Sequence, residues 1–170
     1  MTFLVHAPGL GRSVMDSAAA FGAAVSLAMS APKAKHLAVY ELEQIILQPQ
    51  TAQSHVLVAK QVSGSWSPIA WLAYANLSAE YERTYMRNPN QPLPTSAWRS
   101  GDRLWALNLI AAAGYASELR PVLKNLFASR TARSLSPHSY SRGQKVVVWR
   151  GSGCTQSDAK QFWRQRPILA

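Results

Sequence analysis

The chain contains the stretch Trp98-Arg99-Ser100-Gly101-Asp102-Arg103-Leu104-Trp105, and an apolar run continues from it to Ala111. Leucine and isoleucine recur in that run almost without a break, which predicts a strand over Arg103–Ala111 in the centre of a sheet. The glycine before the strand predicts a turn, because glycine adopts backbone conformations that other residues avoid. We therefore expect the Asp102 carboxylate to lie at the mouth of a sheet, between two tryptophans.

Hydrophobic spacing divides the rest of the chain into alternating helices and strands. Helices are predicted over residues 14–29, 36–47, 78 onward, 117–129 and 157–166, and strands over 54–61, 68–75, 131–135 and 145–150. A capping box is predicted at Ser13–Asp16, and Pro121 is predicted in the first turn of its helix. The fold prediction is one α/β domain, 1–170, with a mixed, mostly antiparallel sheet covered by helices and an N-terminal arm over residues 1–12.

The positive charge of the chain is concentrated near its end. The formal net charge is +10, and Ala116–Ala170 contains ten Lys or Arg residues against only Glu118 and Asp158. Such a surface attracts acidic partners, which include nucleic acid, anionic lipid and an acidic carrier protein. A hydrophobic content of 48% excludes a disordered chain.

The apolar run Ala18–Ala31 raises the question of a signal peptide or a transmembrane segment. It is too short to span a bilayer, and Asp16 precedes it where a signal peptide has positive charge. We expect a packed helix here and no transmembrane segment. The single cysteine, Cys154, cannot form an internal disulfide, which fits a cytoplasmic protein.

A second block precedes the Trp98–Trp105 block in the chain. It reads Pro68-Ile69-Ala70-Trp71-Leu72-Ala73-Tyr74-Ala75-Asn76-Leu77-Ser78, and His36 lies upstream of it. The two blocks resemble those of the toxin-activating lysine acyltransferases, which read much like Pro-x-Ala-x-x-Ser-Trp-Ala-Asn-Leu-Ser and Trp-x-Ser-Gly-Asp-x-x-Trp. The resemblance runs from about Ser30 to Arg150.

The resemblance implies a function and a fold. Members of that family transfer a fatty acyl group from acyl carrier protein to lysines of a secreted RTX protoxin. Their fold is similar to the acetyltransferase (GNAT) layout, in which a cleft between splayed strands accepts a pantetheine arm. The implied protein is an acyl carrier protein-dependent protein-lysine acyltransferase of the cytoplasm, with carrier and protoxin as partners. The resemblance implies no metal, no bound cofactor and no nucleic acid. Many members of the family form homodimers, so a homodimer is also implied.

The resemblance also implies two catalytic residues, His36 and Asp102. Histidine suits a general base because its charge changes near neutral pH, and a carboxylate can orient or stabilise an imidazole. Without the resemblance, the sequence does not distinguish His36 from His6, His55 or His138. Asp102 has two open roles, either in support of His36 or in holding the active-site loop.

Further binding residues follow from their chemistry. Asn76 at a strand end can donate to an oxyanion or to a pantetheine arm, whereas Ser78 predicts the cap of the next helix. Three tryptophans either line an acyl slot or pack in the core: Trp71, Trp98 and Trp105. The cations assigned to docking of the acidic carrier are Arg120, Lys124, Arg130 and Arg133.

Two other functions stay open on the sequence. A basic nucleic-acid-binding module would explain the charge and the pairs Trp149-Arg150 and Trp163-Arg164, but it gives His36 and Asp102 no role. A catalytically inactive family member would bind its toxin only. GxSxG, HExxH, paired CxxC and EF-hand patterns do not occur in the sequence, so hydrolase, zinc and calcium sites have no support.

Overall fold

A computed structural model describes residues 2–32, 34–136 and 145–168. The elements are β1 (Phe3–His6), α1 (Ser17–Ser30), α2 (Gln48–Thr51), β2 (His55–Val62), β3 (Ser65–Leu77), α3 (Ala79–Arg87), β4 (Arg103–Ala111), α4 (Ala116–Leu126), β5 (Thr131–Leu135), β6 (Val146–Arg150) and α5 (Gln156–Arg164). Contacts divide the chain into two compact units. The first contains the residues up to Tyr74 together with Asn108–Ala116, and the second contains Ala75–Leu107 and the residues from Ser117 onward.

The described strands form one six-stranded sheet in chain order, from β1 to β6. β1 pairs antiparallel with β2, β2 with β3, and β5 with β6, whereas β4 and β5 are parallel. The prediction of a mixed α/β fold is therefore confirmed. Over the described ranges, no helix is both long enough and apolar enough to cross a membrane.

β4 has the predicted bounds, Arg103–Ala111, but it is not buried along its whole length. Leu104 and Trp105 are at most 2% exposed, while Leu109 is 55% exposed. An unbroken apolar run does not by itself establish that both faces of a strand are covered. β4 lies between β3 and β5, so the prediction of a strand in the centre of the sheet is confirmed, but the second half of the strand is not covered on both faces.

α1 begins at Ser17 because Asp16 is its N-cap. The Ala19 N–H donates to Asp16 Oδ1 at 2.8 Å, and a carboxylate there also interacts favourably with the helix dipole. The predicted capping box with Ser13 as cap is therefore wrong. The helix ends at Ser30, just before the proline that is predicted to stop it.

The helix predicted over residues 36–47 is wrong at both ends. Residues 34–36 form a turn, and a π-helical segment, Glu43–Leu47, continues directly into α2. Pro49 does not stop the helix, because it lies in the first turn of α2, where a missing N–H is tolerated. The wider π turn is closed by the Gln48 N–H, which donates to the Glu43 carbonyl.

β2 and β3 form the predicted hairpin, and β3 extends beyond the predicted residues 68–75. Val62 pairs with Ser65, so the turn consists of Ser63 and Gly64. Their φ angles are 50° and 85°, and a two-residue type I′ turn requires positive φ at both positions. The turn sets the register as far as Ala59 opposite Pro68, and an irregularity between Val58 and Ala59 then shifts the pairing by one residue, which places His55 opposite Ala73.

The core of the first unit forms where α1, the π-helical segment and the sheet pack together. Its buried members include Ala24, Leu27, Ile46, Leu57 and Trp71. β1 lies within the segment predicted as an N-terminal arm, and it pairs with β2 over its whole length.

In the second unit, α3 and α5 pack on the same face of β4 and β5. Trp105 and Arg133 are register neighbours in these two strands, and both contact Glu82 of α3. Trp163 of α5 packs its ring against the Arg133 guanidinium, 3.9 Å from the ring centroid. In α4, Pro121 lies inside the helix rather than in the first turn as predicted.

Candidate functional site

The two sequence blocks meet in the second unit, where the end of β3 contacts the turn before β4. The Asn76 N–H donates to the Trp98 carbonyl at 2.9 Å, and the Gly101 N–H donates to the Asn76 carbonyl at 2.9 Å. The Ser78 N–H donates to Ser100 Oγ at 2.8 Å. We call residues 76–78 together with 98–102 the motif loop.

Gly101 is required by the close approach of the two halves of the motif loop. A Cβ at this position would lie 2.5 Å from the Leu77 carbonyl oxygen and 2.7 Å from the Ser78 Cα. The Ser100 hydroxyl completes the junction, since it also donates to the Ala97 carbonyl at 2.9 Å. The Ser-Gly pair therefore sets the backbone path that places Asp102.

Asp102 lies on the exposed side of the motif loop, with 56% of its side chain exposed. Arg166 Nε donates to Asp102 Oδ2 at 2.7 Å, and Arg166 Nη2 lies 2.6 Å from the same oxygen. Arg103 Nη1 is 4.0 Å from Oδ1. The hydrogen bond from Arg166, helped by the charges of both arginines, lowers the pKa of the Asp102 carboxyl below its usual value. Asp102 is therefore an ionised carboxylate at neutral pH.

Asn76 is half-buried, and its side-chain oxygen accepts a hydrogen bond from Arg130 Nη2. An amide side chain has one acceptor end and one donor end, so this bond makes Nδ2 the end that can donate elsewhere. The Arg130 carbonyl accepts a hydrogen bond from the Gly151 N–H at 2.9 Å, which holds Arg130 in turn.

Glu82 of α3 is the centre of a buried ionic cluster, which we call the Glu82 cluster. Its side chain is 1% exposed and lies 2.8 Å from Arg133 Nη1 and 3.0 Å from Arg103 Nε. Trp105 Nε1 donates to it at 2.7 Å. Sequence reasoning missed this cluster, because it treated Glu82 only as an acid in the first turn of a helix. The sequence does contain a signal that Glu82 faces inward. Tyr85 follows Glu82 by one helical turn, so the two side chains share the buried side of α3.

The three tryptophans proposed for an acyl slot are core residues, which is the other role that the sequence left open. Trp71 and Trp105 are 0% exposed, and Trp98 is 3% exposed. Trp71 Nε1 donates to the Ile45 carbonyl at 2.9 Å, and Trp105 belongs to the Glu82 cluster. Their indole rings therefore stabilise the fold in the described structure.

The four cations assigned to carrier docking differ in their surroundings. Arg120 is exposed, Lys124 is half-buried, and Arg130 contacts the motif loop. Arg133 is 6% exposed and paired with Glu82. A buried guanidinium cannot contact a partner's surface, so the docking role of Arg133 is wrong. Counting charges along a sequence does not separate buried ion pairs from surface cations.

His36 lies in the first unit, in the turn that follows α1, whereas Asp102 belongs to the second unit. The turn is closed by the Leu37 N–H, which donates to the Ala34 carbonyl at 3.0 Å. Ala34 is buried in the core and Leu37 packs against it, while His36 itself is exposed. The fold thus anchors the chain on both sides of His36 and leaves the imidazole accessible.

Two other histidines are buried in the first unit. His55 is 1% exposed and stacks on the Trp71 ring with 4.6 Å between centroids, and the His6 ring centroid is 5.4 Å from that of His55. Burial lowers the pKa of His55 to about 4, so its imidazole is neutral at pH 7. Both histidines pack inside the fold and lack the access that a base needs. His138 lies outside the described residues.

A groove of about 490 Å³ lies between β6 and α5 in the second unit. Its lining combines apolar Val148, Ala159 and Trp163 with polar Arg150, Gln156 and Lys160. Within the described part of the chain, no three His, Cys, Asp or Glu residues come together in a way that could hold a metal ion.

The fold and the motif loop define a mixed α/β protein in which two sequence blocks build one polar loop. A family model described as the RTX toxin acyltransferase family matches residues 13–150, well over half of the chain. This chain belongs to the RTX toxin acyltransferase family.

Its curated relatives carry the names of lysine acyltransferases. It is similar to the RTX-II toxin-activating lysine-acyltransferase ApxIIC of Actinobacillus pleuropneumoniae, with 29% identity over 100 residues, 58% of this chain and 61% of that protein. The leukotoxin-activating lysine-acyltransferase LtxC of Aggregatibacter actinomycetemcomitans is 30% identical over 98 residues, 58% of each chain. The protein-lysine palmitoyltransferase CyaC of Bordetella bronchiseptica is 30% identical over 137 residues, 80% of this chain and 66% of that protein. The chain spans less than two thirds of the length of the first two relatives.

Proposed function

We propose that this chain is a protein-lysine acyltransferase that transfers a fatty acyl group from acyl carrier protein to lysines of an RTX protoxin and so activates it. The observation that carries the proposal is the meeting of the two family blocks in one loop around Gly101. The relatives' names support lysine as the acceptor, because each is called a lysine acyltransferase or a protein-lysine palmitoyltransferase.

His36 is the proposed general base. In the reaction, the substrate lysine Nζ forms a bond to the acyl carbonyl carbon, and the bond from that carbon to the carrier's sulfur breaks. The proton that the amine loses passes to His36 and then to the departing thiolate. The exposure of His36 supports this role, since a base must reach the incoming amine.

The motif loop supplies hydrogen bonding and charge in the proposal. With its oxygen bound by Arg130, Asn76 has its Nδ2 group as a donor for the oxyanion or the pantetheine arm. Asp102, ionised and paired with Arg166, acts as a fixed carboxylate in support of the reaction and not as the base.

The sheet has an acetyltransferase (GNAT)-like layout in this proposal. The support is the parallel pair β4 and β5, whose register joins Trp105 with Arg133 and Ala106 with Ser134. Within the described ranges, only these two residue pairs join β4 to β5, although both strands are longer. This short pairing is expected of two strands that splay apart to accept a pantetheine arm. The scheme needs no metal and no cofactor beyond the group that the carrier brings.

The partners follow from charge and from the family. Exposed Arg120 and half-buried Lys124 are the proposed contacts for the acidic carrier, because surface cations steer an acidic protein into encounter. The reaction is placed in the cytoplasm, where a lone cysteine, Cys154, stays reduced. A homodimer is proposed on the family resemblance.

The proposal is tested with a lysine-bearing fragment of an RTX protoxin incubated with the chain and acyl-loaded carrier protein. Peptide mass spectrometry should detect the acyl mass on lysine with the wild type and lose it with His36→Gln. Lys35→Ala, an exposed change in the same turn, is the matched control and should retain transfer. Binding of the fragment without any acylation would instead identify an inactive, toxin-binding family member.

A further inference from the structure

Arg166 is the closest described charged partner of Asp102, yet it lies beyond the residues that the family model matches. Two of its nitrogens approach Asp102 Oδ2, at 2.7 Å from Nε and 2.6 Å from Nη2. A two-nitrogen contact to a carboxylate restricts the orientation of both groups more than a single hydrogen bond does. Among the described residues, Arg103, with Nη1 at 4.0 Å from Oδ1, is the other charge that faces Asp102.

The side chain of Arg166 is held in place by the end of α5. Its guanidinium lies 3.9 Å from the centroid of the Phe162 ring, and Nη1 donates to the Phe162 carbonyl at 3.3 Å. The Arg166 N–H donates to the Trp163 carbonyl at 3.1 Å. Only 24% of the side chain is exposed. Arg166 therefore loses little conformational freedom when it binds Asp102.

The backbone of Arg166 is tied to the Glu82 cluster. Arg133 Nη2 donates to the Arg166 carbonyl at 3.0 Å, and Arg133 Nη1 donates to Glu82 at 2.8 Å. The same Arg133 guanidinium packs against the Trp163 ring. A buried ionic cluster thus fixes the segment that carries the partner of Asp102, and this arrangement is typical of a supported functional group.

We infer that Arg166 is a positioning residue for Asp102, which holds the carboxylate of the motif loop in one orientation. The C-terminal helix α5 thereby becomes part of the functional site, although the family comparison does not reach it. The pairing rests on the contacts alone, and its consequence for acyl transfer rests on the function proposed above.

The pairing is tested first by a measurement that needs no activity. The chain has only three aspartates, Asp16, Asp102 and Asp158, so carboxyl carbon NMR can follow the titration of Asp102. We expect the pKa of Asp102 to rise in Arg166→Gln and to stay unchanged in Arg164→Gln, which removes an exposed charge two residues away. An unchanged Asp102 titration in Arg166→Gln would overturn the inference.

The second measurement separates kcat from KM in acyl transfer. In Arg166→Gln, kcat at saturating carrier should fall by about 10–100-fold, as for other outer partners of functional groups, while KM for the carrier stays near the wild-type value. Arg166→Lys should restore part of kcat, and Arg164→Gln should match the wild type. An unchanged kcat in folded Arg166→Gln would contradict the positioning role.

The two proposals fail in different ways. A wild type that transfers no acyl group with any carrier contradicts the proposed function, while the NMR titration still decides whether Arg166 holds Asp102. If Arg166→Gln does not fold by circular dichroism, Arg166→Lys takes its place. A single ammonium cannot reproduce the two-nitrogen contact, so the Asp102 pKa should still rise, and no rise would contradict the inference.

Discussion

Replacing Glu82 by glutamine removes the charge that neutralises two arginines inside the second unit. Arg133 is 6% exposed, and the Arg103 side chain is 13% exposed, so neither cation is solvated well enough to stand alone. Breaking a buried ion pair by removing one partner costs about 3–5 kcal/mol, because it leaves an uncompensated charge. Glutamine can still accept the Trp105 N–H, so the change isolates the charge. A loss of this size is a large part of a typical stability of roughly 5–15 kcal/mol.

Urea unfolding followed by tryptophan fluorescence measures this effect. With a slope of about 2 kcal/mol/M, Glu82→Gln should lower the midpoint by about 1.5–2.5 M. Glu80→Gln is the matched control, since Glu80 is exposed in the same helical turn, and it should change stability by less than about 0.5 kcal/mol. A loss below about 1 kcal/mol for Glu82→Gln, the range of exposed pairs, would refute the reasoning that the cluster is buried.

Three further predictions concern stability. The pKa of His55 is about 4 in the fold but near 6.5 in the unfolded chain, so the unfolded chain takes up this proton first as pH falls. The free energy of unfolding should therefore drop by up to about 3 kcal/mol from pH 7 to pH 4. In urea unfolding at a series of pH values, His55→Phe should reduce this drop. Gly101→Ala should lower the free energy of unfolding by about 1–3 kcal/mol, because its Cβ would clash with the Leu77 carbonyl. Gly22→Ala, in open space on α1, is the control and should raise it by about 0.5–1 kcal/mol. Equal thermal midpoints of the two variants would contradict this prediction. Thr155→Ala removes the capping box of α5 and should cost about 1 kcal/mol in the same melts, and no loss would mean that the cap contributes nothing.

Local patterns predict the strands better than the helix starts. The bounds of β4 agree with the prediction because a dense apolar run sits between a glycine turn and an alanine segment. The prediction of where α1 begins is wrong because Ser13 and Asp16 are both good N-cap residues. The path of the chain in the folded protein decides which of them caps the helix. The π-helical segment before Pro49 has no sequence signature, since it depends on how neighbouring turns pack.

The candidate site is predictable only where it is local in sequence. The motif loop follows from two blocks that the sequence presents directly, and the need for Gly101 follows from the close approach of those blocks. Arg166 could not be predicted, because its contact with Asp102 joins residues far apart in the chain. The predicted docking role of Arg133 is wrong for the same reason, since its ion-pair partner Glu82 lies in another element of the fold.

The most direct test of the central claim is intact-mass spectrometry of acyl-loaded carrier proteins of different chain lengths, mixed with the protein and an RTX protoxin fragment. An active acyltransferase predicts loss of the acyl mass from at least one carrier and its gain by the fragment or the protein. The same masses should stay unchanged with His36→Ala. Carrier masses that remain constant across all chain lengths with the wild-type protein would contradict the claim.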